Sequence, residues 1–272
     1  MKCIAVTGVK GGVGKSTFAI LFANGLVEEG KKVVVVDLDV ECPNDHLLLN
    51  VRLENGKNIY GEKPKLIKRK CKKCGICAKI CKENAIFWTE GNYPIFFWDI
   101  CSGCGACWHA CPFNAIKSVK VKIGKYYINR IENNYWLVTG EVKEGVTETA
   151  DIVKKTKEVG IKLAKRIKAD YLLIDTAPGT HCNVIHSLLG CNKAFVVTEP
   201  TLLGKHDLEI GLKLLKKLKI KSEIVLNKAG FGDESLIEKV AKKYKVKIAY
   251  RIPYSEKILK HYARKDMRGL KL

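Results

Sequence analysis

Apolar residues along this chain fall into short runs of strand length, separated by longer stretches in which they recur every three or four positions. Residues 3–7, 33–36, 171–174, 194–197, 223–226 and 247–250 carry the first signature. Unbroken apolar runs of this length suit strands buried on both faces of a parallel sheet. Between them the pattern predicts helices over 16–29, 150–168, 206–218 and 233–244, the first largely buried, with Gly30 placed to cap it. Strands alternating with helices predict an α/β fold built on a doubly wound, mainly parallel sheet.

Residues 62–121 follow a different rule. Their segments are short, Cys-rich and self-similar at an offset of thirty residues: CKKCGICAKICKENAI begins at Cys71 and CSGCGACWHACPFNAI at Cys101. Both copies keep four cysteines, the glycine after the second, and a closing Asn-Ala-Ile. A helical segment and a short strand in each half predict a pseudo-twofold module. The expected organisation is a discontinuous domain, 1–61 with 122–272, interrupted by an inserted domain at 62–121.

Composition narrows the classes. With 47% hydrophobic and 28% charged residues the chain is globular rather than disordered. No apolar run approaches a membrane span, and a first strand starting at the second residue leaves no room for a signal peptide, so a cytoplasmic location is expected. The formal net charge of +21 favours acidic partners, nucleic acid among them. Yet the lysines are spread over every predicted helix (Lys154, Lys155 and Lys162; Lys213, Lys216 and Lys217; Lys239, Lys242 and Lys243), as solvated faces would carry them. Nucleic acid is therefore not the expected partner. Eight of the twelve cysteines lie in two tight clusters, which in a reducing compartment read as metal ligands and not as a disulfide framework.

Residues 8–17 read GVKGGVGKST, and Gly14, Lys15 and Ser16, followed by Thr17, match the end of a Walker A loop. The first position of that motif falls on Val9, with Gly8 beside it. Backbone N–H groups of Gly11, Gly12, Val13 and Gly14 are placed to turn inward on phosphate oxygens, at the positive end of the following helix. Lys15 is positioned to bridge the β- and γ-phosphates of ATP and Ser16 to ligate Mg²⁺.

Lys10 has no task in an ordinary Walker A loop. A second lysine in KGGVGKST resembles the MinD/ParA-type deviant P-loop ATPases, relatives of the nitrogenase iron protein. The resemblance implies a P-loop NTPase fold and an ATP-dependent homodimer in which Lys10 reaches the partner's phosphates. It implies that Asp39, in VVVVDLDVECPN, orients the attacking water. Asp175, in YLLIDTAPGT, would hold Mg²⁺ through water, and Gly179 would sense the γ-phosphate. Asn227 in IVLNK and Pro253 in RIPYS match positions that contact the base.

Cysteines 71, 74, 77 and 81 form C-x₂-C-x₂-C-x₃-C, and 101, 104, 107 and 111 repeat it. Three cysteines at this spacing wrap one corner of a cubane and the fourth serves the other cluster. Cys71, Cys74, Cys77 and Cys111 are thus expected to bind one 4Fe–4S centre, and Cys101, Cys104, Cys107 and Cys81 a second. Zinc ribbons need only paired C-x₂-C knuckles. The insert resembles a bacterial-type α+β ferredoxin; Pro112 follows Cys111 as in that family, whereas Lys82 follows Cys81. Trp88, Phe96, Phe97, Trp98 and Trp108 are expected to shield sulfur from water. The basic approach from Lys63 to Lys73 fits solvation, tuning of the first centre, or docking of an acidic donor.

Of the remaining cysteines, Cys3 and Cys191 are expected in the core. Cys42 and Cys182 follow the two switch segments, and Cys182 sits seven residues after Asp175, similar to a cluster ligand of the nitrogenase iron protein. A bridging cluster would need Cys42 as its second ligand. Ile258, Leu259 and Tyr262 recur at helical spacing and are expected to close the core. The sequence as a whole resembles MinD-type ATPases with an inserted ferredoxin. The fusion of both motifs in one chain, with the insert close behind switch I, leads to the expectation of ATP-gated electron transfer to a redox partner, with a cluster carrier or a positioning ATPase as the alternatives.

Overall fold

Each unbroken apolar run becomes a strand covered on both faces, and the helical stretches supply the cover. The computed structural model of the chain describes residues 1–271. Its first elements are β1 (Lys2–Thr7), α1 (Lys15–Glu28), β2 (Val33–Leu38), α2 (Asp45–Leu48), β3 (Lys57–Leu66), α3 (Ile76–Ile80), β4 (Ile86–Phe87) and β5 (Ile95–Phe96). Then follow α4 (Ala106–His109), β6 (Ile116–Glu132), β7 (Tyr135–Val142), α5 (Ala150–Arg166), β8 (Tyr171–Thr176) and α6 (Cys182–Leu188). The chain continues with β9 (Lys193–Thr198), α7 (Leu202–Lys217), β10 (Lys221–Ala229), α8 (Ser235–Tyr244), β11 (Ile248–Pro253) and α9 (Glu256–Ala263). No helix among the described residues is long and apolar enough to cross a membrane.

The chain divides into two compact units. The first holds Met1–Lys57, Tyr126–Glu141 and Val153–Leu272. Its strands run in the order β11-β10-β9-β1-β8-β2-β7, and the pairings β10·β11, β9·β10, β1·β9, β1·β8, β2·β8 and β2·β7 are all parallel. This is the α/β, mainly parallel sheet that the alternation predicts. All six residues of β2 are buried, as a central strand requires. Phe18 on α1 packs edge-on against Phe195 of β9 at 5.2 Å and beside Phe22 at 5.7 Å. Truncating so buried a ring costs about 3–5 kcal/mol. α1 ends where Gly30, at φ +77°, lets Lys31 N–H reach back to the Leu26 carbonyl at 3.0 Å. α7 starts earlier than its apolar pattern indicates, because the Thr201 hydroxyl caps it by accepting from Gly204 N–H at 2.9 Å.

The second unit holds Asn58–Lys125 with Val142–Ile152. The last of these segments lies outside the expected insert, and hydrogen bonds explain its placement. Lys143 N–H donates to the Ile123 carbonyl at 2.9 Å, and the Thr147 hydroxyl donates to the Asp99 carbonyl at 2.7 Å. The unit's small core contains Cys77, Ile86, Cys107 and Ile116, with Leu66, Phe96 and Trp108 packed against it. β4 and β5 form an antiparallel pair, Ile86 opposite Phe96.

Candidate functional site

The loop between β1 and α1 opens on a cleft of about 400 Å³. Gly11, Gly12, Gly14, Lys15, Ser16, Thr17, Asp39, Asn227 and Pro253 all line it. Two glycines in this loop are required by geometry. Gly14 has φ +99°, and a Cβ there would lie 2.3 Å from Asn227 Nδ2. At Gly8 a Cβ would lie 2.8 Å from the Val197 carbonyl, so the close approach falls one position before Val9. Asn227 donates from Nδ2 to the Val13 carbonyl at 2.9 Å, pinning the loop while its side chain borders the cleft.

Lys15 is buried, and its Nζ donates to the Lys10 carbonyl at 3.2 Å. Burial lowers the Lys15 pKa from its usual value, with Asp175 and Asp39 pulling it back up. Burial likewise raises Asp39, against the pull of Lys15.

Beneath the cleft lies a cluster that strand register creates. β2 and β8 pair with Asp37 beside Asp175, and α2 brings Asp45 to the same place. Carboxylate oxygens of the three lie within 4.8 Å of one another, and all three residues are buried. Asp37 accepts backbone N–H bonds from Asp39, Asn44 and Asp45 at 3.1, 3.1 and 3.2 Å. Neither carboxylate oxygen of Asp45 has a partner. Burial, reinforced by neighbouring carboxyls, pushes Asp37 and Asp45 well above the ordinary carboxylate range. It pushes Asp175 up to about 7, with the Ser16 hydroxyl and Lys15 acting the other way. Burial and mutual repulsion disfavour ionising all three together, and a cation among them would ease it.

Lys10, Val13, Asp175 and Gly179 lie outside the cleft lining. Lys10 instead pairs with Glu199, Nζ to Oε1 at 2.5 Å, and Lys228 holds the other carboxylate oxygen at 2.8 Å. Glu199 is only 7% exposed. Burial opposes its ionisation, but the two lysines hold its carboxyl below the usual range and raise Lys10 in return. Glu199, Lys228, Asp37 and Asp45 escape sequence reasoning. The one available signal is a charged residue closing an otherwise apolar strand, as in FVVTEP.

The cysteines gather around two hollows. One is lined by Cys71, Cys74, Cys77 and Cys111, the other by Cys101, Cys104, Cys107 and Cys81. Each thus draws three sulfurs from one motif and the fourth from the other. The backbone repeats with the sequence. Lys73 and Gly103 N–H donate to Cys71 and Cys101 Sγ at 3.4 Å, and Ala85 and Ala115 N–H donate to Cys81 and Cys111 Sγ at 3.3 Å. Asn84 and Asn114 share a left-handed conformation, φ 51° and 47°, despite Lys82 standing where Pro112 stands in the second copy. Burial raises Cys77, and raises Cys107 to about 12, which favours their thiol forms.

The aromatic residues divide. Trp88 covers Gly75, Trp108 and Phe96 join the small core, and Phe97 and Trp98 are 49% and 38% exposed. Cys3 and Cys191 are buried with their sulfurs 3.5 Å apart, while Cys42 and Cys182 are exposed. α9 meets the expectation of a core-closing helix in part: Ile258 packs against the main core, whereas Leu259 and Tyr262 are exposed. All three also line the cleft.

A phosphate-type loop at the end of β1 in a parallel sheet defines a nucleotide-binding class. Residues 4–267 match the family model for the CobQ/CobB/MinD/ParA nucleotide binding domain, CbiA, and the chain belongs to that family. It is 36% identical over 267 residues to the uncharacterized protein MJ0579 of Methanocaldococcus jannaschii, covering 97% of this chain and 90% of that one. It is 29% identical over 235 residues to the cytosolic Fe-S cluster assembly factor Nubp2 homolog of Drosophila pseudoobscura pseudoobscura, covering 84% and 69%. The cell division ATPase MinD of Pyrococcus furiosus shares its fold, with a TM-score of 0.60 at 21% identity over 97% of this chain and 88% of that one.

Proposed function

We propose that this chain is an ATP-hydrolysing iron–sulfur protein whose homodimeric ATP cycle gates electron transfer to a partner redox enzyme. The observation that carries the reading is the crossing of the cysteine sets. Two four-sulfur hollows, each completed by the other motif, sit in one chain with the phosphate loop of a nucleotide-binding family.

The donor chemistry fits the groups proposed. Among the described residues, no three cysteine sulfurs lie within 4.8 Å of one another, whereas tetrahedral zinc draws its thiolates in at about 2.3 Å from the metal. Paired N–H donors to Cys71, Cys81, Cys101 and Cys111 supply the hydrogen bonds that stabilise ligated thiolate. Two 4Fe–4S centres held there would supply one-electron storage. In the cleft, Lys15 exchanges the Lys10 carbonyl for phosphate oxygens, and Ser16 with Asp175 behind it offers oxygen ligands for Mg²⁺. Lys10 leaves Glu199 to reach the second copy's nucleotide, and Asp39, on the cleft wall, orients water. Gly179, at φ +99°, supplies a backbone N–H for the γ-phosphate.

The test is ATP turnover by anaerobically purified protein, oxidised and then reduced with dithionite, beside Lys10→Ala. A rate that depends on redox state and is lost in Lys10→Ala supports the reading. Equal rates in both states would sink the coupling. A second reading, a cluster carrier, is favoured by the likeness to the Nubp2 homolog. ATP-dependent delivery of iron and sulfide to an apo-acceptor would select it.

A further inference from the structure

The two cysteine motifs share backbone, sulfur positions and hydrogen bonds, so their differences stand out against a constant frame. The six residues from Lys68 to Lys73 read KRKCKK, and those thirty positions on, from Trp98 to Gly103, read WDICSG. Lys68, Arg69, Lys70, Lys72 and Lys73 thus occupy the positions that Trp98, Asp99, Ile100, Ser102 and Gly103 hold in the second copy. The first window carries five cations and no carboxylate; the second carries one carboxylate and no cation of its own, and the one that reaches it, Lys63, is buried and donates to the Trp98 and Cys101 carbonyls.

The geometry around the basic end is that of a docking surface. The turn Lys68–Lys70 buries none of its residues. Among the described residues, none of the five cations pairs with a carboxylate, whereas lysines elsewhere (Lys155, Lys162, Lys243) do. Lys73 and Lys68 lie over the Tyr93 ring at 4.8 and 5.7 Å, which holds them as a rim. Inside it stand exposed Ile76 and Phe113, on the lip of the hollow that holds Cys74, itself exposed. An apolar centre inside a charged rim matches the anatomy of a protein interface. Nucleic acid would be followed by a basic groove. At the other end, the backbone carbonyl of Asp99 accepts from the Thr147 hydroxyl, which ties that end to the Val142–Ile152 segment.

We propose that the surface formed by Lys68, Arg69, Lys70, Lys72, Lys73 and Phe113 docks a small acidic electron-carrier protein over the hollow of Cys71, Cys74, Cys77 and Cys111. The inference rests on the two-cluster reading above and gives the module a direction. The reduced carrier is oxidised by one electron at this end, and the centre it meets is reduced by one.

The probe is a purified acidic flavodoxin, titrated anaerobically against the iron-loaded chain at low and high salt. Wild type binds with an affinity that falls as salt rises. Combined Lys68→Glu, Arg69→Glu and Lys70→Glu weakens binding about tenfold or more at low salt, since removing rim charge acts on encounter and register. The same charge change on α7, Lys213→Glu with Lys216→Glu and Lys217→Glu, shifts it less than about twofold if the effect is local. A pair that copies the second motif, Lys72→Ser with Lys73→Gly, keeps the fold because Gly103 already occupies the matching left-handed position. It weakens binding in the same direction. Equal losses from both charge reversals, no binding by wild type, or displacement of flavodoxin by a single-stranded DNA oligomer that uses the same residues overturns the proposal. Iron and sulfide are assayed on every sample. Their absence from wild type overturns the two-cluster reading itself, whatever the titration shows.

Discussion

The cleft and the cysteine hollows gather their polar groups by opposite means. Around each hollow the sulfurs and their N–H donors lie two or four residues apart, and the solution is written twice. Around the cleft the partners come from far along the chain: Lys10 meets Glu199, and Asn227 meets Val13. The hollows depend on local backbone conformation, and the cleft depends on sheet register. What differs is the reserve of stability behind them. The first unit has a large apolar core around α1 and β2, whereas two of the four buried residues in the second unit's core are cysteines.

That difference predicts the largest effect. Chelating iron under anaerobic conditions should speed amide exchange in Asn58–Lys125 by about 100-fold or more, because metal binding free energy is folding free energy in so small a core. Exchange in β1, β2 and β8 should stay within about threefold. Equal loss in both units would break the contrast.

The next effect belongs to the carboxyl cluster. Folded-state pKa values raised above the unfolded value mean that the native state binds protons more tightly. The stability this contributes is full below pH of about 4 and is lost as pH rises through about 7, the Asp175 value. Melting of nucleotide-free, Mg²⁺-free protein should therefore move to lower temperature between those limits. Asp45→Asn should stabilise by about 1–2 kcal/mol at pH 8 and by nothing at pH 4. A flat pH profile in wild type would show the carboxyls already neutralised by some other route.

Releasing Lys10 should have a smaller consequence. A part-exposed ion pair is worth about 1 kcal/mol, so Glu199→Gln should lower the ATP concentration needed for dimerisation about fivefold, read by sedimentation. No shift would mean that Glu199 does not restrain Lys10.

The smallest expected effect is none at all. Cys42→Ala and Cys182→Ala should leave iron per chain unchanged, since both residues are exposed and lie in the first unit. A loss of iron in either would blur the division of labour between the units.

The same contrast explains what was legible beforehand. The alternation of strands and helices is local, and the structure shows the mainly parallel sheet that it indicates; the GVKGGVGKST loop and the repeated cysteine spacing are local too, and they fall at the cleft and around the two hollows. β6 was not legible: of its seventeen residues only Ile116, Ile123, Gly124 and Tyr127 are buried, which is no regular period. Nothing in the sequence around Asp45 marks it, and only the pairing of β2 with β8 makes it the third member of a buried cluster. Asn227 was expected at the base, and its bond to the Val13 carbonyl shows it also bracing the loop. α9 carries a helical apolar stripe whose destination, cleft or core, depends on space that other elements leave.

A duplicated motif ordinarily offers insurance, one copy free to decay while the other serves. The exchange of Cys81 and Cys111 between hollows cancels that insurance. Loss of either half leaves one hollow with three sulfurs gone and the other short of its fourth. The two copies are a single heritable unit, and a substitution at one fourth cysteine is felt in the hollow of the other motif.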